Sequence, residues 1–123
     1  VRIITPGIPD KKLIYRVTRS YYPALARAGV RIFEYTPGFM HAKQMLADGK
    51  TAAVGTINLD YRSLYHHFEN GVLMHGCRAV NDILRDFEDT FAKCCEVTEK
   101  YSQDRFAVTR GIDCILRLAA PLL

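Results

Sequence analysis

The first 35 residues combine two short apolar runs with an amphipathic helical segment between them. Residues 1–5 and 30–35 are rich in β-branched and aromatic side chains, which favour strands. Between them, apolar residues recur at helical spacing over 13–28, and Asp10 stands before them as a candidate cap. Gly29 suits the left-handed residue that often ends a helix. This order predicts a βαβ unit with parallel strands.

A tight antiparallel hairpin is predicted next, because the Asp48-Gly49 pair separates two apolar runs, residues 40–46 and 51–56. A two-residue turn would set the register of these strands. Counted outward, that register predicts the following cross-strand pairs: Ala47 with Lys50, Lys43 with Val54, and His41 with Thr56.

The rest of the chain predicts a further strand, residues 70–75, and a long helix. One helical face collects Val80, Ile83, Leu84, Phe87, Phe91, Cys94 and Thr98. The apolar segment 112–123, where Pro121 would end any helix, either packs on the domain or touches a membrane, and packing is favoured because such helices often dock on their own domain. The order of elements predicts an α/β fold, with a mixed β-sheet flanked by helices.

Length and net charge limit the number of domains and the kind of partner that the chain can have. A chain of 123 residues suits one domain, so residues 1–123 are expected to form a single unit. The start at Val1, directly on an apolar run, suggests a piece of a longer chain. The 17 Lys and Arg against 13 Asp and Glu give a net charge of +4, which favours anionic partners but does not choose between membrane and nucleic acid.

Two other classes are disfavoured by sequence pattern. No apolar run reaches the roughly 18 residues of a spanning helix and no leader pattern is present, so the chain as given is expected to be soluble or peripheral, with any membrane anchor upstream. The cysteines form no C-x-x-C pair and have no His at zinc-finger spacing. Reduced thiols in a cytosolic compartment are the expectation for Cys77, Cys94, Cys95 and Cys114.

Four polar side chains converge at one end of the predicted hairpin. Alternate residues of a strand share a face, so His41 and Lys43 would point the same way. The predicted register places Thr56 across from His41, and Asn58 follows two positions later. These groups suit a phosphate: Lys43 would neutralise charge, the hydroxyl and amide would donate hydrogen bonds, and His41 would attack phosphorus or protonate a leaving oxygen. Such chemistry requires no metal or other cofactor.

The segment HAKQMLADGKTAAVGTIN resembles the signature of the phospholipase D superfamily, in which His, Lys, Asp, Gly, a hydroxyl residue and Asn recur at fixed spacing. The matching residues are His41, Lys43, Asp48, Gly55, Thr56 and Asn58. The flanks RIFEYTPGFMHAK and NLDYRS, the pair Phe68-Glu69 and the Pro-Leu-Leu end are similar to the C-terminal half of bacterial cardiolipin synthases. This resemblance covers nearly the whole chain.

The resemblance implies transfer of a phosphatidyl group through a phosphohistidine, which forms cardiolipin from two phosphatidylglycerol molecules and releases glycerol. It implies an anionic bacterial membrane as the partner surface, with the catalytic part on its cytoplasmic side. It also implies a second signature, from an upstream half of the same chain or from a homodimer partner, with His41 favoured as general acid and base. Glu69 stands where the family places the carboxylate that orients the catalytic imidazole, although it could instead pair with Arg62. Thr56 replaces the Ser of many relatives and keeps the hydroxyl.

Other readings stay open at this point. Asp48 is interpreted as a turn residue, because Asp before Gly is explained by turn geometry and lies far from His41 along the hairpin. His66, His67 and His75 lack a Lys two residues later and are interpreted as structural or exposed. The function could also be that of a phosphodiesterase or nuclease acting as a homodimer, or of an inactive half that binds anionic lipid. Nucleic acid is the less favoured partner, because the flanks resemble cardiolipin synthases.

Overall fold

The computed structural model of the chain describes residues 1–102, 107–118 and 120. Two compact units are present: Val1–Met40 with Lys93–Leu123, called here the first unit, and His41–Ala92, called the second unit. In chain order the elements are β1 (Arg2–Pro6), α1 (Lys12–Arg27), β2 (Arg31–Tyr35), β3 (Gln44–Ala47), β4 (Thr51–Gly55), a π-helical turn (Arg62–His66), β5 (Gly71–His75), α2 (Arg78–Phe91), β6 (Cys94–Glu96), α3 (Thr98–Ser102) and α4 (Ala107–Leu118).

The first unit contains a mixed three-stranded sheet in the order β1-β2-β6. β1 and β2 are parallel, with Ile3 beside Ile32, which confirms the βαβ prediction. β6 pairs antiparallel to β2. The buried core consists of Tyr22, Ile32 and Tyr101, contributed by α1, β2 and α3. The rings of Tyr22 and Tyr101 meet edge to face, with centroids 4.9 Å apart.

The ends of α1 agree only in part with the prediction. Gly29 follows the helix with a φ of 83°, the left-handed conformation expected of it. The predicted cap at Asp10 is wrong, because the residue before the helix is Lys11 and its side chain makes no capping hydrogen bond. α1 and β2 are joined instead by a charged pair: Arg19 donates to both carboxylate oxygens of Glu34, at 2.6 to 2.9 Å.

The C-terminal helix α4 packs on α1, as favoured by the sequence. Arg117 donates from Nε to the Ser20 hydroxyl at 3.3 Å and also donates to the Ser20 carbonyl. The predicted helix stop at Pro121 lies outside the described residues. Within the ranges that the structure describes, no helix is both long enough and apolar enough to cross a membrane.

The second unit is an antiparallel sheet in the order β3-β4-β5, with α2 packed against all three strands. Ala52 on β4 and Val80 on α2 are each 1% exposed, so they form the centre of this interface. The long helix predicted to extend to Thr98 is wrong at its end, because α2 stops at Phe91. Cys94 lies in β6 instead, where pairing with β2 provides backbone hydrogen bonds that a helix would otherwise supply.

The predicted register of the hairpin is wrong by one residue. The structure pairs Ala47 with Thr51 and Gln44 with Val54, so the connection contains three residues rather than two. The Lys50 amide donates to the Ala47 carbonyl at 3.0 Å and closes the turn. The Lys50 carbonyl accepts a hydrogen bond from Gly76 at 2.9 Å, beyond β5. The Lys50 carbonyl is therefore bonded to the residue that follows β5, and Lys50 is not part of the pairing between β3 and β4.

The predicted fold class is confirmed, since the chain is α/β with a mixed sheet flanked by helices. The described strands are divided between two three-stranded sheets, one in each unit. The hairpin strands and β5 make the antiparallel sheet, and the βαβ strands with β6 make the mixed one.

Candidate active site

His41 and Lys43 lie immediately before β3 rather than inside it, because this strand begins at Gln44. The predicted placement of both residues within a strand is therefore wrong. Lys43 is nonetheless held against the neighbouring strand, because its carbonyl accepts a hydrogen bond from the Gly55 amide at 3.2 Å. Its ammonium nitrogen donates to the His41 carbonyl at 2.7 Å. His41 is exposed and Lys43 is half-buried, so the segment is accessible to a substrate.

Thr56 and Glu69 are in direct contact across the connection between β4 and β5. The Thr56 hydroxyl donates to a carboxylate oxygen of Glu69 and accepts from the Asn70 amide at 3.0 Å. The Thr56 amide donates to the Asn70 carbonyl at 2.9 Å. The facing ends of β4 and β5 thus hold a hydroxyl and a carboxylate together. The predicted pairing of Thr56 with His41 is wrong, because the register is shifted by one residue and Gly55, rather than Val54, is bonded to Lys43.

The environment of Glu69 keeps its carboxylate ionised. The hydrogen bond from Thr56 contributes most to lowering the pKa of Glu69, followed by a hydrogen bond from Ser63. Desolvation, the third-largest effect, raises the pKa, and the charges of His67 and Lys43 lower it by smaller amounts. An ionised carboxylate and the Lys43 ammonium therefore belong to one electrostatic site.

Ser63 and Asp60 were not singled out by the sequence reasoning. Ser63 is 7% exposed, and its amide donates to an Asp60 carboxylate oxygen at 2.8 Å. That bond fixes the start of the π-helical turn, from which Ser63 reaches Glu69. An Asp whose carboxylate accepts a hydrogen bond from the amide three residues later is typical of a helix start. This pattern in the sequence could have identified Asp60 and Ser63.

Gly55 allows β4 and β5 to approach each other beside the site. A Cβ atom at Gly55 would lie 2.2 Å from the Asn70 carbonyl oxygen and 2.6 Å from the Gly71 Cα. No side chain fits there without separating the strands. The same approach carries Thr56 to Asn70 and Glu69.

Two signature residues lie apart from these contacts. Asp48 is exposed in the turn between β3 and β4, with a φ of 53°, at the opposite end of β3 from His41. This placement agrees with its interpretation as a turn residue. Asn58 is half-buried in the connection that follows β4. Arg62, considered as a partner of Glu69, donates to the ring of His67 at 3.2 Å.

The structure therefore brings Lys43, Thr56 and Glu69 together at one end of the second unit's sheet, where His41 also lies. The arrangement offers a cation for a phosphate, an imidazole for nucleophilic or acid-base chemistry, and a carboxylate that stays negative beside them. These are the groups that phosphoryl chemistry through a histidine needs from one side of its substrate.

Known proteins resemble this chain in sequence over its full length. The family model described as cardiolipin synthase, PLD-like domain matches residues 1–91. A protein of Streptococcus mutans serotype c is 50% identical over 123 residues, which are 100% of this chain and 27% of that protein. Cardiolipin synthase of Geobacillus kaustophilus is 37% identical, and cardiolipin synthase 1 of Bacillus anthracis is 39% identical, each over 100% of this chain and 24% of the relative.

The fold resembles that of a solved structure. A phospholipase D family member, Nuc from Salmonella typhimurium, superposes with a TM-score of 0.66 at 17% identity, over 78% of this chain and 62% of that one. The chain spans about a quarter of the length of the curated relatives that it matches. The match to the family model and the identity to these relatives show that the chain belongs to the cardiolipin synthase family of phospholipase D-like proteins.

Proposed function

We propose that the chain supplies one signature half of an active site that forms cardiolipin from two phosphatidylglycerol molecules and releases glycerol. The observation that carries this proposal is the grouping of Lys43, Thr56 and Glu69 beside the exposed His41, in a chain of the cardiolipin synthase family. The partner surface is an anionic bacterial membrane, with the site on its cytoplasmic side.

The reaction has two displacements at one phosphorus atom. A histidine nitrogen attacks the donor lipid, so that a P–N bond forms and the P–O bond to glycerol breaks, while a second histidine protonates the leaving oxygen. That second histidine then takes the proton from the hydroxyl of an acceptor phosphatidylglycerol, whose oxygen displaces the first histidine. Lys43 neutralises the nonbridging oxygens, and His41 acts as the general acid and base.

Glu69 stabilises the charge of the catalytic imidazole and orients its ring. An ionised carboxylate stabilises an imidazolium and selects the tautomer of the ring that it faces. The Thr56 hydroxyl has a single proton to donate, and it donates to Glu69. For Thr56 to donate to a phosphate oxygen, it must first release Glu69, so substrate binding and the freedom of this carboxylate are coupled.

The proposed chemistry needs two histidines in distinct roles, and the chain carries one His-x-Lys signature. The second signature comes from an upstream half of the same chain or from a second copy in a homodimer. The relatives are about four times longer than the chain, which supports the upstream half. The isolated chain is therefore expected to be inactive.

The test is mass spectrometry of lipids after the full-length protein, wild type or His41→Ala, meets phosphatidylglycerol liposomes without added divalent metal. Cardiolipin from the wild type and at least a thousandfold less from His41→Ala is expected, since removal of a catalytic histidine costs several orders of magnitude. The control is His75→Ala, because this exposed histidine bonds Thr51 at 2.8 Å at the other end of the same sheet and should leave the rate unchanged. Phosphatidic acid as the product would replace the transferase by a hydrolase, and full activity of His41→Ala would reject the role of His41.

A further inference from the structure

A shallow apolar trough lies on the face of the second unit's sheet that carries Lys43. Its volume is about 230 Å³, and the residues that line it include Lys43, Met45, Ala53, Ile57, Gly71 and Leu73. Met45, Ala53 and Leu73 stand directly beside one another on the three strands, so their side chains form one row across the sheet. Lys43 also lines the trough, two residues before Met45, so an apolar surface and a cationic side chain belong to the same depression.

The helix α2 does not cover this face. Ala52, the residue of β4 next to Ala53, points to the other side of the sheet and is 1% exposed there, where α2 packs. On the trough face Leu73 is 76% exposed and Met45 is 45% exposed. A group of neighbouring apolar side chains exposed to water is typical of a binding site, because a bound molecule would shield them from the solvent.

Glycines make the trough continuous with the catalytic segment. Gly55 and Gly71 are paired beside Lys43, in the row next to the apolar one, and neither carries a side chain into the space. A Cβ atom at Gly71 would reach within 3.4 Å of the Ile57 side chain and narrow the trough. A molecule can thus lie from the ammonium to Leu73 without crossing a polar barrier.

We propose that this trough holds the glycerol ester and the first methylenes of one acyl chain of a phosphatidyl lipid whose phosphate is bound at Lys43. The inference rests on the proposed function and adds the part of the substrate that the chain recognises. The phosphate of such a lipid would bind the Lys43 ammonium, and its acyl chain would lie on the apolar row of the sheet. A deacylated headgroup would contact only the ammonium. The enclosed volume is below that of typical ligand pockets, so it accommodates part of one chain and not a whole lipid.

The direct test is NMR of the intact protein labelled with ¹³C in its methionine methyl groups, assigned with Met45→Leu and Met74→Leu. The probes are dihexanoyl phosphatidylglycerol, kept below its micelle concentration, and glycerophosphoglycerol, which has the same headgroup without acyl chains. The Met45 methyl signal is expected to shift with the acylated probe and to stay in place with the deacylated one. Met74, which pairs with the buried Ala52 and so lies on the opposite face, is the internal control and should not shift.

Affinity measurements on variants provide the second readout. Leu73→Ser should weaken binding of the acylated probe roughly tenfold, by loss of apolar contact, and leave the deacylated probe unaffected. Leu118→Ser is the matched control, because Leu118 is 77% exposed on α4 and should change neither affinity. Lys43→Gln should weaken both probes.

The outcomes separate the trough from the proposed function. If Lys43→Gln weakens both probes while Met45 does not shift and Leu73→Ser has no effect, the acyl site is rejected and the phosphate site stands. A protein segment would then be the group that covers this face. If Lys43→Gln changes neither probe, the phosphate site is rejected and the inference fails with it.

Discussion

The hydroxyl of Thr56 lowers the pKa of the carboxylate beside it. Its hydrogen bond is the largest contribution that lowers the pKa of Glu69, and Ser63 supplies the next. Both hydroxyls bind the ionised form, so the proton is held less tightly than in water. Glu69 is thus negative throughout the pH range in which an imidazole titrates, which a group that stabilises an imidazolium requires.

Thr56→Val should raise the pKa of Glu69 towards its ordinary value, because valine keeps the shape of threonine but cannot donate a hydrogen bond. Thr56→Ser is the control and should keep the pKa low. The measurement is a pH titration of the Glu69 side-chain carboxyl carbon by NMR in the three proteins. An unchanged midpoint in Thr56→Val would show that Thr56 does not hold the carboxylate in solution.

Contacts between elements account for the stability of the first unit. Glu34 of β2 is 7% exposed, and α1 provides its counter-charge through the two-nitrogen fork of Arg19. A buried carboxylate that loses its partner keeps its desolvation cost without the compensating attraction. The pair therefore ties the helix of the βαβ unit to one particular position on its strand.

Arg19→Met should destabilise the protein by about 3 kcal/mol, because it leaves the Glu34 carboxylate buried without its guanidinium. The matched control is Arg31→Met, which breaks the exposed Arg31–Glu96 pair and should cost much less, because water solvates both charges in the folded protein. Guanidinium unfolding at pH 7 measures both free energies. The double variant Arg19→Met with Glu34→Leu should recover part of the loss, and equal costs for the two Arg variants would contradict the argument.

At the scale of the whole molecule, a buried tyrosine links stability to pH. Tyr22 is 1% exposed and donates to the Thr5 hydroxyl at 2.8 Å, while its ring meets Tyr101. Burial raises its pKa to about 12, because the phenolate would lose its hydration in the core. The folded chain thus holds this proton more tightly than the unfolded chain, whose tyrosine titrates near pH 10.

The contribution of Tyr22 should be fully present below about pH 10 and should be lost as the pH rises from there to about 12. A shift of this size corresponds to roughly 2–3 kcal/mol over that window. Urea unfolding of wild type and Tyr22→Phe at intervals from pH 8 to 11.5 measures it. The wild type should lose stability relative to Tyr22→Phe above pH 10, and parallel curves would show that the phenol is not the titrating group.

Much of the fold and part of the site could be predicted from the sequence because those features are local. The helical period between residues 13 and 28, the Gly29 end and the Asp48-Gly49 turn each depend on a few neighbouring residues. The signature spacing that identifies His41 and Lys43 is local as well. The family followed from these patterns, and comparison with relatives confirms it.

Features that depend on contacts between segments distant in the sequence were decided by the tertiary structure alone. The hairpin register differs by one residue from the predicted one because the Lys50 carbonyl bonds to Gly76, beyond β5. The sequences of β3 and β4 alone do not reveal this bond. The helix α2 ended at Phe91 because the next residues pair with β2, about sixty positions earlier in the chain. Glu69 met Thr56 because Gly55 lets two strand ends approach. Short-range preferences are properties of the sequence itself, whereas these hydrogen bonds exist only when distant backbone segments are already side by side.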